Sequence, residues 1–93
     1  MSAVADRIRQ KISQALAPMR LVVLDESHQH AGHAGARPEG ETHFRVEICS
    51  AAFAGLSRID RQRLVHEVLA EELRDRVHAL SLATTTPDED RAA

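Results

Sequence analysis

Six histidines sit in a chain of 93 residues, and three of them, His28, His30 and His33, fall within one short stretch. Imidazole is the commonest neutral nitrogen ligand for a metal ion, and its charge changes near neutral pH. His30 and His33 lie three residues apart on a glycine-containing segment, which would let both rings turn toward one ion. A closed zinc site normally takes four protein ligands, often in paired Cys and His clusters. The chain has one cysteine, Cys49, on a predicted strand, so a self-contained zinc site is not expected. The plainer alternative is that the loop histidines are solvated polar residues. His78 stands apart from them. It precedes Leu80 and Leu82 on a predicted strand and shares their parity, where a ring either reaches the sheet margin or packs half-buried with a hydrogen bond. His66 reads as a packing or surface residue, His43 as an outward strand residue, and His28 as a polar strand end.

A second cluster is basic. Arg58, Arg61 and Arg63 open a predicted helix that closes with Glu67, Glu71, Glu72 and Asp75. The helix dipole favours the reverse order, at a few tenths of a kcal/mol per exposed charge, roughly. Such a cluster is a candidate for partner or anion binding: a phosphate backbone, a thiol peptide such as glutathione, or an acidic protein surface. The competing reading is a solvated face whose arginines pair with acids elsewhere in the fold. Catalysis finds little footing, and no enzymatic activity is expected. There is no defensible Ser-His-Asp order, no phosphate-cradling glycine loop and no C-x-x-C. Asp25 and Glu26 are neighbours on a predicted strand, so they face opposite ways and cannot share a proton.

The elements that must position these residues follow from periodicity. Val4, Ile8, Ile12, Ala15 and Leu16 recur about every four residues, which predicts an amphipathic helix over 3–17, with Ser2 as a cap and Pro18 as its stop. Residues 19–27 form an aliphatic run rich in β-branched side chains and read as a strand. Residues 28–40 hold three of the four glycines and no aliphatic side chain beyond alanine, so they form a long loop. Phe44, Val46 and Ile48 then alternate with His43, Arg45 and Glu47, a half-buried strand antiparallel to the first. A connection over 51–56 is anchored by Phe53 and punctuated by Gly55. Ser57 and Asp60 resemble a capping box for a helix reaching about Arg74, with Ile59, Leu64, Val65, Val68, Leu69 and Leu73 on one face. Residues 77–84 make a third strand. Thr86 and Pro87 then start a short helical stub over 87–93.

Composition sets the outer bounds. The length fits a single domain over 1–93, with its core in about 3–86. Aromatic residues are 2 % of the chain and the formal charge is −2, which weighs against base stacking and against whole-molecule attraction to nucleic acid. A single cysteine excludes an internal disulfide framework. No apolar run is long enough to span a bilayer, and no signal or transit segment is evident, so a cytoplasmic, bacterial setting without membrane attachment is expected.

With these pieces in order, the chain resembles the BolA family. The residues that carry the resemblance are Asp25-Glu26-Ser27, Gly40-Glu41-Thr42-His43-Phe44, Phe53-Ala54-Gly55-Leu56-Ser57, Arg61-Gln62-Arg63 and Val77-His78-Ala79-Leu80-Ser81-Leu82. They span about residues 4–87. Gln62 departs from the histidine usual between the two arginines, and the loop over 28–40 is longer and richer in histidine. The resemblance implies an α/β fold, an α-β-β-α-β sandwich similar to the type II KH domain, with a three-stranded mixed sheet packed against helices. It also implies a monothiol glutaredoxin as partner, the two proteins sharing a bridging 2Fe–2S cluster with a glutathione thiolate supplied through the partner. His78 matches one family ligand. His30 matches the other, three residues after Ser27, with His33 as a substitute. Two imidazoles in place of two thiolates raise a cluster's reduction potential, and the isolated protein would carry no cofactor, as a monomer or weak homodimer. The function implied is accessory: iron–sulfur cluster trafficking, or iron and stress regulation. The alternative is a DNA-binding transcriptional regulator of stress response and cell morphology.

Overall fold

In the computed structural model, residues 3–26, 43–75, 77 and 79–92 are described. The predicted first helix is α1, Ala3–Leu16. Its buried stripe is Val4, Ala5, Ile8, Ile12 and Leu16, spaced to bring one face onto the core. Ala15, expected in that stripe, is exposed, and Ala5 takes part instead. Ala15 stands a residue off the i, i+4 row that joins Ile8, Ile12 and Leu16. The helix ends as Ala17 enters the left-handed region at φ 43°, directly before Pro18. Ser2 lies outside the described residues.

Three strands follow the expected order: β1 (Arg20–Asp25), β2 (His43–Cys49) and β3 (Ala79–Thr85). β2 is central, antiparallel to β1 and parallel to β3, so the sheet is mixed. Register aligns Val23, Val46 and Leu82 in one inward row, and Asp25, Phe44 and Leu80 in another. Phe44, Val46 and Ile48 are all buried, as their alternation requires. The inward rows meet α1 and the middle helices in one hydrophobic cluster that includes Phe53, Val65, Leu69 and Val77.

Between β2 and β3 the chain makes a 3-10 turn at Ala51–Phe53, then α2 (Arg58–Val68) and α3 (Ala70–Asp75). Ser57 Oγ accepts the Asp60 N–H at 3.1 Å and caps α2. The single helix expected to reach Arg74 is divided at Leu69, whose φ of −102° and ψ of 17° leave the helical basin. Ile59, expected on the core face, is 63 % exposed. Its neighbours three and four residues on are Gln62 and Arg63, so it heads the polar row of α2 rather than the apolar one. β3 begins at Ala79, two residues later than expected, while Val77 is buried beside it.

The terminal stub is α4, Pro87–Ala92. Thr86 Oγ1 accepts the Glu89 N–H at 3.2 Å while a Glu89 carboxylate oxygen accepts the Thr86 N–H at 2.9 Å, a reciprocal capping box that starts a helix otherwise too short to hold itself.

Candidate functional site

The sheet has two ends of different character. At one, β1 leaves through Glu26, β2 enters at His43 and β3 enters at Ala79. The Glu26 N–H donates to the His43 carbonyl at 2.8 Å, and His43 and Ala79 are register partners. Glu26, His43 and Ala79 therefore form one row across the sheet margin, with neighbouring strands about 4.8 Å apart. His28, His30 and His33 belong to the connection that joins Glu26 to His43, and His78 is the residue before Ala79. All four lie outside the described residues. Their described neighbours in sequence converge on this single margin.

Cys49 is at the other end. It pairs in register with Arg20 and Thr85, is buried, and is six residues along β2 from His43, about 20 Å at strand spacing. It cannot join a site at the His43 margin. Among the described residues, no group of three His, Cys, Asp or Glu side chains could hold a metal. His66 is exposed on α2, its Nδ1 2.8 Å from the Gln62 carbonyl, away from that row.

The three arginines do not act as one patch. Arg58 is exposed at the start of α2, and Arg63 is 75 % exposed, with Nη1 3.5 Å from Asp60. Arg61 is 12 % exposed and is consumed by the fold. Its Nε donates to the Leu56 carbonyl at 3.0 Å and its Nη1 to the Thr84 carbonyl at 3.3 Å, and both Nη atoms bind Glu89, at 2.6 and 3.1 Å. The guanidinium also stands 6.0 Å above the Phe53 ring centroid. The hydrogen bond from Arg61, with that from the Thr86 backbone, draws the Glu89 carboxyl down to about 2. Arg61 therefore fastens α4 to the start of α2 and to β3, and Arg58 and Arg63 remain as the outward charges.

A charged residue not singled out in the sequence carries more structural weight. Glu72 is 1 % exposed, and a carboxylate oxygen lies 2.8 Å from Arg7 Nη2 and 3.0 Å from Lys11 Nζ, both on α1. Burial pushes its carboxyl up, but the Lys11 hydrogen bond, a backbone hydrogen bond and the charges of Lys11 and Arg7 outweigh it, so its pKa lies below the usual value. Its own carbonyl accepts the Val77 N–H at 2.9 Å. Glu72 thus ties α1 to α3 by its side chain and the entry to β3 by its backbone. The signal available in the sequence was an acid within the apolar row that runs through Val65, Val68 and Leu69.

Helices packed together on one face of a three-stranded mixed sheet define the class of a small two-layered α/β domain. The family model for BolA-like protein matches residues 12–89, and the chain belongs to that family. It is 48 % identical over 87 residues to the chloroplastic protein BOLA1 of Arabidopsis thaliana, covering 91 % of this chain and 54 % of that protein. It is 47 % identical over 87 residues to the chloroplastic/mitochondrial SufE-like protein 1 of the same plant, covering 89 % of this chain and 24 % of that one. The chain thus spans about half and a quarter of these relatives' lengths. The BolA domain of SufE1 from Arabidopsis thaliana superposes with a TM-score of 0.86 at 44 % identity, over 96 % of this chain and 98 % of that one. No helix among the described residues is long and apolar enough to cross a membrane.

Proposed function

We propose that the protein is an accessory component of iron–sulfur cluster trafficking or of iron and stress regulation, which binds a monothiol glutaredoxin and co-ligates a bridging 2Fe–2S cluster. The observation that supports this reading is the row Glu26, His43, Ala79: the described residues flanking the segments that bear His30, His33 and His78 meet at one margin. A shared cluster asks this chain for two ligands only, which suits a protein whose cysteine is buried at the far end. His78 and one of His30 or His33 serve as the ligands, and the partner and its glutathione supply thiolates. Bound there, the cluster would supply electron-accepting or transferable iron and sulfide. The chain's own part is to present neutral imidazoles, so assembly weakens as they protonate. The relationship to a SufE-like protein gives the reading further support. Arg58 and Arg63 are the outward charges available to glutathione carboxylates or to an acidic partner surface. Of the three arginines, Arg61 is taken up by the fold, and Arg58 and Arg63, the latter 3.5 Å from Asp60, offer a phosphate backbone little charge, which makes regulation through DNA the weaker reading.

The test is anaerobic co-purification with a monothiol glutaredoxin, recording visible absorption and circular dichroism for wild type, His78→Ala, His30→Ala and His33→Ala. The mixed cluster's spectrum should be lost with His78→Ala and changed with one of the loop variants. An identical spectrum in all four removes the ligand assignment. For the DNA reading, a duplex titration across a salt series would have to show affinity falling steeply with salt.

A further inference from the structure

We propose that the outer edge of β3, which no strand pairs among the described residues, is a self-association surface, where two copies of the chain pair antiparallel through Leu80 and Leu82 about a two-fold axis at Ser81. The Ser50 N–H donates to the Thr85 carbonyl at 2.9 Å, and Thr85 is the register partner of Cys49. In a parallel ladder this parity turns the N–H and C=O of Ala79, Ser81, Ala83 and Thr85 toward β2, and those of Leu80, Leu82 and Thr84 outward. The outward Thr84 carbonyl is taken by Arg61. The outward groups of Leu80 and Leu82 have no hydrogen-bond partner among the described residues.

An open edge is a template for another strand, and proteins usually blunt it with charge, proline or a covering element. β1 is blunted that way: Arg9 Nη2 lies 3.4 Å from the outward Val23 carbonyl in mid-strand, held by Asp6 at 2.9 Å, and the strand begins and ends with Arg20 and Asp25. β3 reads Ala-Leu-Ser-Leu-Ala-Thr-Thr, with no charge and no proline. Among the described residues its cap is Arg61 on the Thr84 carbonyl, at the far end.

The occupant that fits is a second copy. Two donors and two acceptors at positions i and i+2 are self-complementary: with Ser81 facing its symmetry mate, each Leu80 exchanges both hydrogen bonds with the other copy's Leu82, which uses all four groups of the two leucines. On the outer face Ala79, Ser81 and Ala83 are exposed and uncharged, so the close Ser81 pair, about 4.5 Å between Cα atoms, brings no like charges together at the axis. The contact joins two three-stranded sheets edge to edge. It is short, so association is weak and concentration-dependent.

Sedimentation of the isolated protein from micromolar to millimolar concentration tests this. Mass should rise toward twice the monomer, and Ser81→Lys, on an exposed site that leaves the fold intact by circular dichroism, should weaken association about tenfold through like charges at the axis. With a mild oxidant, Ser81→Cys should cross-link rapidly, because its mate lies within disulfide reach. Ala83→Cys should not, since its mate is about 13 Å away at strand spacing. A monomer at every concentration, a dimer that Ser81→Lys leaves unchanged, or equal cross-linking of the two cysteine variants overturns the proposal. The first outcome would leave the edge to an extended segment of a different protein.

Discussion

The two ends of the sheet are built on opposite plans. At the end marked by Arg20, Cys49 and Thr85, every element that arrives is tied to another. Ser50, fully buried, donates from Oγ to the Leu16 carbonyl at 2.6 Å, accepts the Ala52 N–H at 3.1 Å and gives its own N–H to Thr85. Arg61 and Arg20 clamp α4 through Glu89 and Asp90. At the opposite margin, Glu26, His43 and Ala79 share a row through backbone pairing, and elsewhere Glu72 holds α3 against α1. Catalytic and binding groups are commonly presented from connections set on a rigid frame. Here the contacts around Ser50 and Arg61 supply such a frame, and the described residues next to the histidine-bearing segments lie at the other end.

If that division is right, variants at the clamped end should cost stability and leave cluster assembly with glutaredoxin unchanged once folded. Phe53→Ala is the harshest of these. It empties a fully buried ring site beneath Arg61, and denaturant unfolding should show a loss of about 3–5 kcal/mol. Glu72→Gln should cost about 2 kcal/mol, because the two cations lose their counter-charge but are partly exposed and can rehydrate. It should also reduce the yield of mixed cluster with glutaredoxin, since the entry to β3 depends on the same residue. Unchanged cluster yield in folded Glu72→Gln would erase the link between the clip and the histidine margin. Ser50→Ala should cost about 1–2 kcal/mol by leaving the Leu16 carbonyl without its donor, with cluster yield unaltered.

The smallest effect is on pH. Glu89 is held at about 2, against an ordinary value of 4.5. Its folded pKa is depressed, so its contribution is complete above 4.5 and is lost as pH falls toward 2. Glu72 shifts in the same direction. Thermal melts from neutral to acid pH should therefore show stability declining in that window, with a shallower decline in Glu89→Gln. A Glu89→Gln profile that superposes on wild type would remove the Arg61 clamp from the account.

The elements that rest on local pattern were legible in the sequence. Strict alternation of Phe44, Val46 and Ile48 defined β2, and the four-residue recurrence of Ile8, Ile12 and Leu16 defined α1, because side-chain direction in a strand or helix follows from backbone geometry alone. Ile59 misled because one apolar residue on a polar row says little about which way the first turn faces. Arg61 misled for a deeper reason: its partners Thr84 and Glu89 are 23 and 28 residues away, so its sequence neighbours made it look like one of three free cations. Glu72 was read only as one of the acids closing the second helix, because its two cations are more than 60 residues distant in the chain.

By itself, then, the sequence determined the order of the strands, the first helix and the start of the second, the place of His28, His30 and His33 between the first two strands and of His78 just before the third, and the family, since each depends on residues close together in the chain. Only the tertiary structure decided how Ser50, Arg61 and Arg20 tie the elements at one end of the sheet, that Cys49 is too far from the His43 margin to serve there, that Arg61 is a structural residue, and that among the described residues no strand pairs with the outer edge of β3. These follow from strand register and from charges meeting across long stretches of chain, and neither is written in local spacing.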